Sequence, residues 1–194
     1  MKVLHIDAGI TPASVTRQIS AAIVEHLRQT NGDLDVAHRD LDADPIPHLD
    51  GRGLATIAEN AILEEFLDAD VIVIGAPMYN FGIPSQLKAW IDHLAVAGKT
   101  FRYTSSGSEG LVSGKRVLVA SGRGGVYSPG GPMAASDFQE PYLAAVFRLL
   151  GIEDVEFVRA EGVALGPDHR EASIAQALAS VPATVARVAT ALAA

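Results

Sequence analysis

Asp70-Val71-Ile72-Val73-Ile74-Gly75 is the stretch on which the fold turns. Four consecutive β-branched apolar residues between an acid and a glycine read as a short strand covered on both faces, the pattern of a parallel sheet with helices above and below it. Downstream comes Ala76-Pro77-Met78-Tyr79-Asn80-Phe81-Gly82-Ile83-Pro84, after which Pro84 suits the first turn of a helix. Leu87, Trp90, Ile91 and Leu94 fall at i, i+3, i+4 and i+7, one apolar stripe with Trp90 in the core, and Gly98 is expected to end that helix.

The same rhythm extends both ways. Val3 to Ile6 reads as the first strand, and a helix is expected from Ser14 to Arg28, closed by Asn31-Gly32. Leu34 to Leu41 contains the second strand, Asp44-Pro45-Ile46-Pro47 breaks regularity, and Thr56 to Leu67 reads as helical. Val117 to Ala120 is a fourth strand, Tyr142 to Leu150 a helix, and Val155 to Val158 a fifth strand. The stretch from Asp168 is helical, with Pro182 expected to kink or interrupt it. Alternating strands and helices without repeats or linkers predict one α/β domain over residues 1–194, with right-handed crossovers.

Composition narrows the function. The chain has 194 residues, 48% of them hydrophobic, so a substantial core is expected and disorder is not. It has no cysteine, which excludes disulfides, thiolate catalysis and iron–sulfur clusters. A net charge of −8 argues against nucleic-acid binding, which needs clustered Lys and Arg. No apolar run reaches the roughly 20 residues of a membrane span. A strand beginning near Lys2 leaves no room for a signal peptide, so a cytoplasmic location is expected. The histidines at 5, 26, 38, 48, 93 and 169 show no metal-ligand spacing, and no metal is expected.

In such sheets ligands bind beyond the carboxyl ends of the strands, which directs attention to three loops. After Ile6, Asp7-Ala8-Gly9-Ile10-Thr11-Pro12-Ala13-Ser14-Val15-Thr16-Arg17 leads small and hydroxylated residues into a helix N-terminus, where free amides and the dipole favour an anion. Ser14 is equally well read as a plain N-cap. No nucleotide P-loop or Gly-x-Gly-x-x-Gly turn is present. After Ile74, Pro77, Gly82 and Pro84 restrict a loop in which Tyr79 and Phe81 offer apolar faces and Asn80 a donor and an acceptor. After Ala120, Ser121-Gly122-Arg123-Gly124-Gly125-Val126-Tyr127 permits close backbone approach to a ring, with Arg123 placed to face negative charge.

Met78-Tyr79-Asn80-Phe81, Thr100-Phe101-Arg102-Tyr103-Thr104, Gly110-Leu111-Val112-Ser113-Gly114-Lys115 and Gly122-Arg123-Gly124-Gly125, with Asp44-Pro45-Ile46-Pro47 and Ala160-Glu161-Gly162, together resemble the FMN-dependent NADH azoreductases, or NADH:quinone oxidoreductases, over nearly the whole chain. The resemblance implies a flavodoxin-like three-layer fold with a five-stranded parallel sheet in the order 2-1-3-4-5. It also implies a homodimer with non-covalent FMN at its interface, and two-electron transfer from NADH or NADPH to quinones and aromatic azo compounds. The phosphate segment maps onto Gly9, Ser14, Val15 and Thr16, the ring segment onto Met78, Tyr79, Asn80 and Phe81, and the polar-edge segment onto Gly122, Arg123, Gly124 and Gly125. Tyr103 and Tyr127 are the candidates for lining the acceptor pocket, as shaping residues rather than proton donors. No catalytic side chain is expected, because a flavin carries the chemistry itself.

Two departures stand out. Ala8 and Gly9 occupy the place where the family usually has a Ser-Ser pair, and the segment from Leu49 to Leu63 is short. A non-catalytic flavodoxin-type carrier or flavin sensor is the alternative; it would bind FMN but turn over NADH slowly and hold a one-electron state. One shared site for nicotinamide and acceptor implies ping-pong kinetics.

Overall fold

The computed structural model describes residues 1–192, with side chains to residue 188. Five parallel strands form the central sheet: β1 (Lys2–Asp7), β2 (Asp35–Asp40), β3 (Val71–Pro77), β6 (Arg116–Gly122) and β7 (Val155–Ala160), in the order β2-β1-β3-β6-β7. A separate antiparallel hairpin pairs β4 (Phe101–Thr104) with β5 (Gly107–Gly110). Leaving that hairpin aside, the sheet has the expected 2-1-3-4-5 order.

Every residue of β3 is buried, because helices cover both faces. Ile72 and Ile74 point one way and Val71 and Val73 the other, as the two-residue period of a strand requires. On the first side lie α3 (Ala61–Asp68), α4 (Ser85–Asp92) and α5 (Glu140–Leu150), contributing Phe66, Trp90 and Phe147 to the core. On the second lie α1 (Val15–Asn31) and α6 (Pro167–Leu192), contributing Ile19, Ile23, Val181 and Val185.

Several boundaries differ from expectation. Thr56 to Leu67 is not one helix: a 3₁₀ turn at Ile57–Glu59 is followed by Asn60, whose side chain accepts from Leu63 N (2.8 Å) and starts α3 afresh. The preceding short helix α2 (Gly51–Ala55) is capped by Asp50 and buries nothing. Helix α4 stops at Asp92 rather than at Gly98, yet Leu94 remains buried in the stripe. Helix α6 runs through Pro182 without interruption. Pro182 is exposed, while Val181, Val185 and Val188 are buried around it. Three buried valines, each worth about 1.5 kcal/mol or more, outweigh the roughly 3 kcal/mol cost of an internal proline.

Candidate functional site

The loop after β1 builds the most polar part of the site. Its Gly9 abuts Ser14 so closely that a Cβ there would lie 2.5 Å from Ser14 Oγ. Ser14 occupies the N-cap position of α1 in an extended conformation, but its side chain makes no capping bond. Its hydroxyl pairs instead with the Thr16 hydroxyl, at 2.9 Å. No acidic residue stands in the first turn. The positive end of α1 therefore faces outward with neither a capping oxygen nor a carboxylate to satisfy it.

Ser14, Val15 and Thr16 line a cleft of about 280 Å³ together with Met78 and Tyr79 of the second loop and Gly122 and Gly124 of the third. The three loops singled out in the sequence thus converge. The cleft also contains Arg170 of α6, which the sequence reading missed. The packing of α6 against α1 brings it there, and Arg170 Nη2 reaches the Ala13 carbonyl (3.4 Å). No local pattern marks that arginine, which is more than 150 residues from the loop it joins.

The second loop is a tight turn. Tyr79 N donates to Gly82 O and Gly82 N to Tyr79 O, both at 3.0 Å. Between them Asn80 and Phe81 take left-handed conformations, with φ of 49° and 71°. Two successive positive φ values define a type I′ turn, whose second position usually falls to glycine. Phe81 holds it with its ring half exposed, edge-on to Tyr127 at 6.4 Å, and its carbonyl accepts from Phe138 N (3.1 Å). Asn80 lines a second cleft of about 680 Å³, which adjoins the first at Tyr79 and is walled by Ile10, Ile83, Phe138 and Tyr142. Burial pushes the Tyr142 phenol up to about 12, aided by the nearby negative charge of Asp92, so it stays protonated at neutral pH.

The third loop holds a correction. The Arg123 guanidinium is wholly buried and lines neither cleft. It pairs with Asp137 (3.1 Å), Glu161 (3.1 Å) and Glu140, while Nε donates to Ser121 Oγ (2.9 Å). A guanidinium is the one side chain that can satisfy several carboxylates in one plane. Glu161 in turn accepts from the Tyr127 and Ser128 amides at 2.7 and 2.9 Å. Burial alone would raise the Glu161 carboxyl, but the Ser128 hydroxyl, the Tyr127 amide and the Arg123 charge bring it below the usual range. The carbonyls of Arg123, Gly124 and Gly125 accept from Val163, Ala164 and Gly162, stitching the glycine loop to the loop after β7. Arg123 fixes this shelf from below.

Gly122 is the point of closest approach. A Cβ there would lie 2.7 Å from Thr16 Cγ2, so the end of β6 and the first turn of α1 meet only because the residue is glycine. A Cβ at Gly125 would lie 2.8 Å from the Met133 sulfur and 3.2 Å from the Tyr127 ring. Tyr127 is buried against this loop, but Tyr103 is not at the cleft of its own chain. It stands 78% exposed on the β4–β5 hairpin, packed edge-on against Phe101. The structure also gathers three residues the sequence left apart: His5, Asp7 and His38.

Sheet order, layer arrangement and a cleft at the carboxyl edge define a flavodoxin-like α/β protein, and residues 1–185 match the family model of the flavodoxin-like fold. The FMN-dependent NADH:quinone oxidoreductase 1 of Xanthomonas euvesicatoria pv. vesicatoria is 56% identical over 188 residues, covering 93% of this chain and 95% of that one. The FMN-dependent NADH:quinone oxidoreductase of Stenotrophomonas maltophilia is 55% identical over 190 residues, covering 94% and 95%. The crystal structure of an FMN-dependent NADH-azoreductase from Bacillus anthracis in complex with FMN superposes with a TM-score of 0.85 at 29% identity, covering 96% of this chain and 98% of that one. The chain belongs to the family of FMN-dependent NADH:quinone oxidoreductases. Among the described residues no helix is long and apolar enough to cross a membrane.

Proposed function

We propose that this chain binds FMN non-covalently and moves two electrons from NADH or NADPH to quinones and aromatic azo compounds. The observation that carries this reading is the first turn of α1, free of any side-chain cap and opening on the cleft where all three loops meet. That cradle suits a phosphate: amides of Val15 and Thr16, hydroxyls of Ser14 and Thr16, and the Arg170 cation converge on it. Gly9 keeps the loop compact enough to replace one of the missing family hydroxyls with its backbone. Met78 to Phe81 then supply a wall for the ribityl chain and ring, and Gly122, Gly124 and Gly125 a shelf at the polar edge. FMN, when bound, supplies the hydride and electron chemistry.

The protein's part is to orient two planar partners face to face and keep water out. The turn at Asn80 and Phe81 is held by Gly82 and Phe138, so the aromatic wall is set before a ligand arrives. Tyr127 braces Phe81 from below. Exposed Phe138 and Ile10 leave the larger cleft apolar and unroofed in one chain. A second copy closes it in this reading, with its protruding Tyr103 as a wall, which makes the working unit a homodimer.

Nicotinamide and acceptor share the one shelf in turn, which predicts ping-pong kinetics. Steady-state turnover with each nicotinamide against a small quinone panel is the test. Parallel double-reciprocal plots are expected, with quinones faster than azo dyes because a quinone takes two electrons without breaking a bond. Intersecting plots would require a ternary complex and a second nucleotide pocket. Slow turnover with tight FMN binding would favour an electron carrier. A fully active species of 20.3 kDa in the ultracentrifuge would remove the dimer.

A further inference from the structure

His5 and Asp7 are two residues apart on β1 and so share one face of the sheet, under α1. His38 is the register partner of His5 on β2. The two imidazoles approach with ring centroids 4.6 Å apart. Asp7 approaches both: its Oδ2 is 3.0 Å from His38 Nε2 and its Oδ1 is 3.6 Å from His5 Nε2. Room for the carboxylate comes from Gly75, its register partner on β3, where a Cβ would lie 2.6 Å from Asp7 Oδ1. Ser20 Oγ donates to that oxygen at 2.9 Å and fixes its direction.

His5 is 8% exposed, and its Nε2 is buried without a hydrogen-bond partner. A buried nitrogen whose contact with a carboxylate is longer than a hydrogen bond is unusual in a protein interior, where buried polar atoms nearly always find closer partners. One ligand atom from each of the three residues can be chosen so that all lie within 4.8 Å of one another. In a tetrahedral site with metal–ligand bonds of about 2.0 Å, donor atoms are roughly 3.3 Å apart. Asp7 makes its 3.0 and 3.6 Å approaches through different oxygens, so an ion held by one atom from each residue draws the three together from a spread of up to 4.8 Å.

We propose that His5, Asp7 and His38 form a binding site for a divalent d-block cation of the zinc class. Two imidazoles with one carboxylate favour such ions over magnesium or calcium, which prefer oxygen ligands. The His38 side chain is 48% exposed, so the ion reaches the site from the β2 edge and water completes its coordination there. The neighbouring charges permit a dication. Arg17 Nη1 is 3.7 Å from Asp7 Oδ2, but the same guanidinium donates twice to Asp40, at 2.7 and 2.6 Å, and to the Gly9 carbonyl. Asp7 and Asp40 together outweigh Arg17. Through Arg17 and Gly9 the ion is joined to the loop that leads into α1, without depending on what that loop holds.

The test is titration of the chelator-treated, untagged full-length protein with Co²⁺ and Zn²⁺. Calorimetry is expected to give one ion per chain, with Co²⁺ developing the visible bands of a low-coordinate site and Zn²⁺ displacing it, while millimolar Mg²⁺ does not. His5→Gln and His38→Gln should each weaken binding by at least about tenfold; His26→Gln, a surface change on α1, should leave it unaltered. Because His38 is half exposed, its variant decides the matter even if the His5 variant misfolds. Absence of binding at micromolar ion, or binding that survives His38→Gln, overturns the proposal.

Discussion

Replacing Gly122 with alanine tests whether the end of β6 and the first turn of α1 are held at a distance that matters. The new Cβ would meet Thr16 Cγ2 at 2.7 Å, and reaching ordinary contact requires a withdrawal of roughly 0.7 Å. Thr16 is only 1% exposed, so its methyl has no free space to enter. Strain of this kind in a packed interior costs about 1–3 kcal/mol. The turn that moves is the one proposed to hold the phosphate. Loss of one charge-assisted bond there, roughly 1.5–3 kcal/mol, raises the FMN dissociation constant about ten- to a hundredfold. Flavin fluorescence quenching measures that change, and urea denaturation the stability. The decisive variant is Gly122→Ala combined with Thr16→Ser, which deletes the clashing methyl and keeps the hydroxyl. The next atoms, Thr16 N and Val15 Cβ, are 3.9 and 4.0 Å from the new Cβ, so the double variant should recover both stability and affinity over Gly122→Ala alone. If serine at 16 rescues neither property, the close approach is not what limits the site.

Ser14→Ala should weaken FMN binding about tenfold and leave the melting temperature nearly unchanged, because the hydroxyl caps nothing; a loss of stability near 1 kcal/mol would restore the N-cap reading. Arg123→Met leaves three carboxylates around an uncharged side chain, and a cost of about 3–5 kcal/mol is expected in urea unfolding at neutral pH; a change within error would show that the buried ion pairs are expendable. Asp40, held down to about 2 mainly by its bond to Arg17, and Glu161, also lowered, both have carboxyls more acidic folded than unfolded. Their stabilisation is therefore complete above the unfolded pKa, near pH 4, and disappears as the pH falls through the folded values. Asp40→Asn should flatten that acid slope and cost roughly 1 kcal/mol at neutral pH, after allowing for solvent screening; an unchanged slope between pH 4 and pH 2 would refute the pairing.

Much of the architecture is written locally. Val71 to Ile74 reads as a strand covered on both sides and is one, and the stripe through Leu87, Trp90, Ile91 and Leu94 buries as its spacing demands. The three loops that meet at the cleft were legible because sheet topology alone places them at one edge. What the sequence hid depends on contacts between distant residues. Arg123 reads as a cation beside a ligand until Asp137, Glu140 and Glu161 close around it. His5 and His38 look unrelated until parallel pairing sets them side by side. Arg170 reaches the cleft only through the packing of two helices far apart in the chain. Asn60 shows a subtler loss: helical periodicity runs across it, and only its side-chain bond to Leu63 reveals that one helix ends and another starts.

At position 81 two pressures on the molecule point in opposite directions. A phenylalanine held at φ 71° stores backbone strain that glycine would release, about 1–2 kcal/mol, and the ring gives up only a half-buried contact in exchange. Laboratory evolution for heat tolerance alone should therefore arrive at Phe81→Gly, and with it lose the aromatic face beside the cleft. Selection on turnover should hold the ring in place at the expense of melting temperature. The identity of this one side chain then reports which of the two a lineage was made to optimise.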